Sequence, residues 1–237
     1  MSIPATRDVH IRGKLGMQIL ESFAGLGRVI DKDEHPKQIV VNVGHGEDPS
    51  YHNRMTDLFE TTLPISNSNG FQKQKAWSAE AIRYAFKHRG KVCSLFRLND
   101  VISVRMDNII HVRGLDKALT RPETMVDKIM ENLPKGKVYI LGDDPKLAGK
   151  IAVPLTLAGY EVHSSDQDDV RDWKSVYWAE QVIGVLSSFT ISTLLFRPDS
   201  HMKLFGREYN DGDFKLTESE FEAVDELMKW CKNVTWI

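Results

Sequence analysis

I-I-H-V-R-G-L-D-K, residues 109–117, is an apolar run that ends abruptly in charge. β-Branched residues on both faces from Asn108 to Val112 read as a strand buried on two sides. Gly114 breaks that strand. His111, Arg113 and Asp116 therefore fall at its carboxyl end, where open α/β sheets bind ligands. A guanidinium beside a glycine suits a diphosphate, because its planar fork matches phosphate oxygens and keeps its charge. The same spacing also fits an Arg113–Asp116 ion pair that only holds a turn.

Downstream, strands at 108–113, 137–141, 160–163 and 183–186 alternate with helices at about 122–132, 145–158, 173–182 and from about 190. That alternation predicts βαβ crossovers and a parallel sheet, whose carboxyl ends share one edge. L-G-D-D-P-K (141–146) and V-I-G-V-L-S-S-F-T (182–190) then arrive beside Arg113. Asp143 or Asp144 reads as the N-cap ahead of Pro145, a simpler role than metal binding. Ser187, Ser188 and Thr190 offer hydroxyls and helix N–H groups to a phosphate, with plain capping by Ser188 as the alternative. Glycines flank neither serine, so no serine-hydrolase elbow is present. Thr217 and Glu220 form a capping box, and Phe221, Val224, Met228 and Cys231 the inner stripe of a final helix.

Upstream, Val9–Arg12 reads as a strand, and G-K-L-G-M-Q (13–18) as a turn opening a helix over Met17–Ile30. Its glycines free backbone N–H groups at a positive helix end. Taken singly, an ordinary tight turn is the simpler reading, since neither G-x-G-x-x-G nor G-x-x-x-x-G-K-[ST] is present. A strand at Gln38–Val43, a short helix at Arg54–Thr61, a turn-rich stretch at 65–72, a helix at Lys73–His88 and strands at 92–97 and 101–105 follow. The change in regularity sets a domain boundary near residue 105, giving units 1–105 and 106–237.

The 237 residues carry 31 Lys plus Arg against 33 Asp plus Glu, a net charge of −2. Such balance speaks against nucleic acid as a partner, which wants a basic face. No apolar run spans a bilayer, and M-S-I-P-A-T-R-D-V-H lacks a signal-peptide core. Cys93 and Cys231, far apart and without metal-ligand spacing, fit a reduced, cytoplasmic protein with no bound metal.

Four islands in order resemble the fucosyltransferase superfamily: the bacterial α-1,2-fucosyltransferases and the related α-1,6- and protein O-fucosyltransferases. Gly13-Lys14-Leu15-Gly16-Met17-Gln18 fits its G-x-L-G-x-Q turn. His111-Val112-Arg113-Gly114-Leu115-Asp116 fits H-x-R-x-x-D, Gly142-Asp143-Asp144-Pro145 its D-D-P segment, and Asp172 with Ser187-Ser188-Phe189-Thr190 its closing acidic residue and S-S-F-S. The resemblance implies an α/β, GT-B-like fold: two Rossmann-like halves with mostly parallel sheets and a cleft between them. It implies a GDP-fucose donor, a glycan or other hydroxyl acceptor and no obligatory metal. Residues 1–105 would face the acceptor and 106–237 hold the nucleotide sugar. Arg113 would grip the β-phosphate, His111 and Asp172 the guanine or ribose, and Ser187, Ser188, Thr190 and Asp144 would line the pocket. Gly13, Gly16 and Gln18 would face it from the first half. Gly114 stands where the strict signature has a second arginine, a role Lys117 is placed to take, and Met17 where the turn has asparagine. Asp116 and Glu123 are the nearest candidates for a base. Another nucleotide sugar or acceptor, or a nucleotide-binding protein without turnover, are the alternatives.

Overall fold

The computed structural model describes residues 6–12, 14–43, 53–68, 78–99, 106–113, 122–142, 144–165, 168–209 and 217–237. β1 (Thr6–Arg12), α1 (Leu15–Asp31) and β2 (His35–Asn42) open the chain as a parallel unit. α1 is enclosed by its sheet and by later helices. It buries Leu15, Ile19, Leu20, Phe23 and Leu26, and also the polar Gln18 and Ser22. The Ser22 hydroxyl is satisfied by donating to the Gln18 carbonyl at 2.7 Å.

The next stretch departs from the sequence reading. The helix expected over 54–61 is one turn, α2 (Met55–Leu58), which passes directly into β3 (Phe59–Thr61). The 65–72 stretch, turn-rich in sequence, begins with β4 (Ile65–Ser68), parallel to β2 at the edge of the sheet β1-β2-β4. Backbone bonds such as Ile39 N–H to the Pro64 carbonyl, 2.9 Å, hold this edge strand. Those bonds leave no hydrophobic period to read. α3 (Ala79–Lys87) is capped by the Ser78 hydroxyl, and α4 (Arg89–Cys93) takes the first two residues of the strand expected at 92–97. Only β5 (Phe96–Leu98) is extended, antiparallel to β3. The strand expected at 101–105, with the boundary it marked, lies outside the described residues.

The second half follows the expected alternation. β6 (Asn108–Val112), α5 (Pro122–Asn132), β7 (Lys137–Gly142), α6 (Pro145–Leu157) and β8 (Glu161–Ser164) succeed one another. α7 (Asp169–Trp178) starts earlier than expected because Asp168 caps it, accepting the Val170 and Arg171 N–H groups. β9 (Gln181–Gly184), α8 (Ser188–Phe196), β10 (His201–Leu204), α9 (Glu218–Met228) and β11 (Val234–Trp236) complete the chain. All six strands are parallel, in the order β11-β10-β9-β6-β7-β8. The chain moves outward from β6 to β8, then returns to β9 on the other side of β6. The direction of winding therefore reverses between β6 and β9.

The halves share one hydrophobic core. Phe23, Phe59 and Phe96 from the first meet Trp173 and Phe196 from the second. Phe59 stacks on Phe196 at 4.7 Å, and Trp173 meets Phe59 edge-on at 5.6 Å. The Trp173 indole N–H donates to the Ser192 hydroxyl at 2.8 Å, so burying it leaves no polar atom stranded. A second core around Ile110, Val138, Ile151 and Ile183 fills the other face of the six-stranded sheet.

Candidate functional site

The carboxyl ends of β6 and β9 flank the reversal of winding, the position at which open parallel sheets leave a crevice. His111 lies one residue from the end of β6, opposite Leu141 in β7 and Gly184 in β9. A Cβ on Gly184 would stand 3.2 Å from the His111 Cβ, so the glycine makes room for the ring. That ring stacks on Phe189 at 5.1 Å and 11°. His111 is 5% exposed, and its Nδ1 has no partner among the described residues. Burial, and then the Arg113 charge, push its pKa down to about 3, so the imidazole is neutral at physiological pH. Arg113 follows, half-buried. β6 and β7 close tightly beside it: a Cβ on Gly142 would come within 2.6 Å of the Val112 carbonyl oxygen.

α8 begins just beyond β9, at the same edge of the sheet. Its N-cap is Ser187, which corrects the expectation of Ser188. The Ser187 hydroxyl accepts the Thr190 N–H at 3.3 Å, and the Thr190 hydroxyl accepts the Ser187 N–H at 3.2 Å. The Thr190 hydroxyl also reaches the Val185 carbonyl at 3.1 Å. Both side chains therefore serve the cap first. Ser188, 7% exposed, is the first helical residue.

α1 meets this point from the first half. Lys14 is its N-cap position and supplies no side-chain cap; neither α1 nor α8 carries an acid in its first turn. A Cβ on Gly16 would stand 2.5 Å from Phe189 Cα, 2.6 Å from its nitrogen and 2.9 Å from the Ser188 carbonyl carbon. Two helix N-termini thus touch backbone to backbone. Each carries roughly half a positive charge, and an anion beside the contact would relieve the repulsion.

The remaining expected residues divide. Asp172 on α7 is buried and accepts the Ser165 hydroxyl. Asp144 caps α6, accepting the Lys146 N–H at 2.9 Å and the Leu147 N–H at 3.3 Å. Gln18 is fully buried, and its side-chain oxygen accepts the Arg54 N–H at 3.3 Å. Gly13, Asp116 and Lys117 lie outside the described residues, as does the side chain of Glu123. Among the described residues no cluster of His, Cys, Asp and Glu is arranged to hold a metal. No helix there is long and apolar enough to cross a membrane.

Arg54 is the residue the sequence reading missed. Its guanidinium lies 3.1 Å from Asp57 and 3.4 Å from both Asp168 and Asp169. Only the i,i+3 pair with Asp57 is legible locally; Asp168 is 114 residues away.

No family model matches the chain, and no curated protein sequence does. Among solved structures it is similar to the fucosyltransferase NodZ from Bradyrhizobium, with a TM-score of 0.50 and 11% identity over 83% of this chain and 94% of that one. NodZ α-1,6-fucosyltransferase soaked with GDP-fucose gives 0.48 and 12%, over 83% and 94%. POFUT1 in complex with GDP-fucose gives 0.31 and 14%, over 81% and 70%. At 11% identity the NodZ likeness shows the fold: α/β and GT-B-like, with mostly parallel sheets.

Proposed function

We propose that this chain is a glycosyltransferase moving a sugar, fucose by default, from a GDP-sugar to a hydroxyl acceptor, with inversion and without a metal. The carrying observation is the meeting of two N-termini without first-turn acids, α1 and α8, at the sheet edge where winding reverses, the edge at which Arg113 follows β6. The motif islands and the fold shared with a fucosyltransferase set the default donor.

In this reading residues 106–237 hold the donor and 1–105 the acceptor. The acceptor oxygen bonds to the anomeric carbon from the face opposite the diphosphate. The old C–O bond breaks, and its electron pair leaves on the diphosphate. Arg113 and the N–H groups of Ser188 and Phe189 meet that growing charge, while Gly16 keeps the two helix ends in contact. Loss of one such donor commonly costs about 2.7–4 kcal/mol of barrier. His111, neutral and stacked, can donate or accept a hydrogen bond to the base or ribose, with Asp172 as its companion. Asp116 or Glu123 takes the acceptor proton.

Calorimetry with GDP, UDP and ADP tests the donor. We expect GDP to bind and Arg113→Ala to weaken it at least about tenfold, or about 1.4 kcal/mol, without unfolding the chain. No GDP binding at millimolar ligand refutes the reading, and unchanged affinity in Arg113→Ala removes that residue from the site. Turnover that survives a chelator supports the metal-free route. Gly114, in place of a second arginine, favours one rival, a nucleotide-binding protein without turnover. Tight GDP binding with neither donor hydrolysis nor transfer would select it.

A further inference from the structure

We infer that Gln18 and Arg54 form a positioning device that ties the glycine turn of the first half to α7 and thereby sets Asp172 in the donor pocket. The inference rests on the donor site proposed above.

Gln18 lies two residues beyond Gly16 on α1, so the helix end that touches Phe189 also carries the side chain that accepts the Arg54 N–H. Arg54 then reaches across the seam to Asp168 and Asp169. Asp168 is shared. One of its oxygens takes the Arg54 guanidinium, the Val170 N–H at 3.0 Å and the Arg171 N–H at 3.2 Å. Its backbone carbonyl accepts the Asp172 N–H at 2.8 Å. One residue therefore links the first half's arginine to the backbone of Asp172.

The placement runs against local preference, since a cation at a helix N-terminus opposes the dipole. Three carboxylates, Asp57, Asp168 and Asp169, compensate. Burial raises the Asp169 pKa most strongly, Arg54 lowers it, and the charges of Asp168 and Asp57 raise it again. Without Arg54, three carboxylates face one another at a partly desolvated site. The repulsion between Asp168 and its half-buried neighbour Asp169 then loosens the first turn of α7, and Asp172 with it. Such networks hold binding groups in place more than they stabilise the fold, because part-exposed ion pairs contribute little.

The test pairs GDP calorimetry with hydrogen exchange of the amides at 170–172. Arg54→Met should raise the GDP Kd at least fivefold and speed that exchange at least tenfold, while the chain still unfolds in one transition. Arg54→Lys should fall between it and the wild type. Adding Asp169→Asn to Arg54→Met removes one repelling charge and should recover most of the affinity, which a purely structural loss would not. Arg207→Met, which breaks an exposed bridge to Glu218 and Asp225 on α9, is the control expected to change neither readout. Unchanged GDP affinity in Arg54→Met, or unchanged exchange at 170–172, overturns the inference. A wild type that binds no GDP overturns the donor reading instead, and exchange alone then decides whether Arg54 sets α7.

Discussion

Gly16→Ala puts the meeting of the two helix ends to a direct test. The added carbon would stand 2.5 and 2.6 Å from Phe189 backbone atoms and 2.9 Å from Ser188. Comfortable carbon contacts begin near about 3.5 Å, so α1 and α8 must part by roughly 1 Å. Backbone cannot escape by changing rotamer, and overpacking of this kind costs about 1–3 kcal/mol. Against it stands the gain from replacing a helical glycine by alanine, about 0.5–1 kcal/mol. The net is a loss of up to about 2.5 kcal/mol, which at this chain length lowers Tm by roughly 2–4 °C for each kcal/mol. Gly149→Ala on α6 is the matched control: nothing lies within 4 Å of the added carbon, so only the gain remains. Scanning calorimetry on both variants, with GDP titration of the first, reads the outcome. If Gly16→Ala melts as high as Gly149→Ala, the contact between α1 and α8 is not as described and the anion site loses its geometry.

Phe59→Ala removes a ring that touches Phe96, Phe196 and Trp173. A loss of about 3–5 kcal/mol is expected, with denaturant unfolding still a single transition; two separated transitions would deny the shared core. His111 has a pKa of about 3 in the fold against 6.5 as a free side chain, so the unfolded chain takes its proton first. Stability from this group is complete above pH 6.5 and declines toward pH 3 by about 1.4 kcal/mol per unit. His111→Gln should flatten denaturation profiles between pH 4 and 7, and an unaltered slope would contradict a neutral buried imidazole. Asp144→Ala should cost about 1 kcal/mol as a lost cap; unchanged GDP affinity in that variant would limit Asp144 to capping, and a tenfold weaker affinity would place it in the donor pocket as well.

The chain's own order of residues was enough for the opening of the second half. β6, α5, β7 and α6 fall where glycines, Pro145 and the Asp144 cap place them, because these signals act within a few residues. The Thr217–Glu220 box is also local, with the Thr217 N–H bonded to the Glu220 carboxylate at 2.6 Å. The parallel sheet follows from the alternation, and with it the shared edge for His111, Asp144 and Ser187. Tertiary structure alone decided the rest. β4, β10 and β11 are short, and their backbone bonds to neighbours leave no side-chain period. The Gly16–Phe189 contact, the neutral state of His111 and the reach of Arg54 to Asp168 depend on distances between segments remote in the chain. Local preference encodes where a helix starts; only packing determines which two helix ends meet and what charge they attract together.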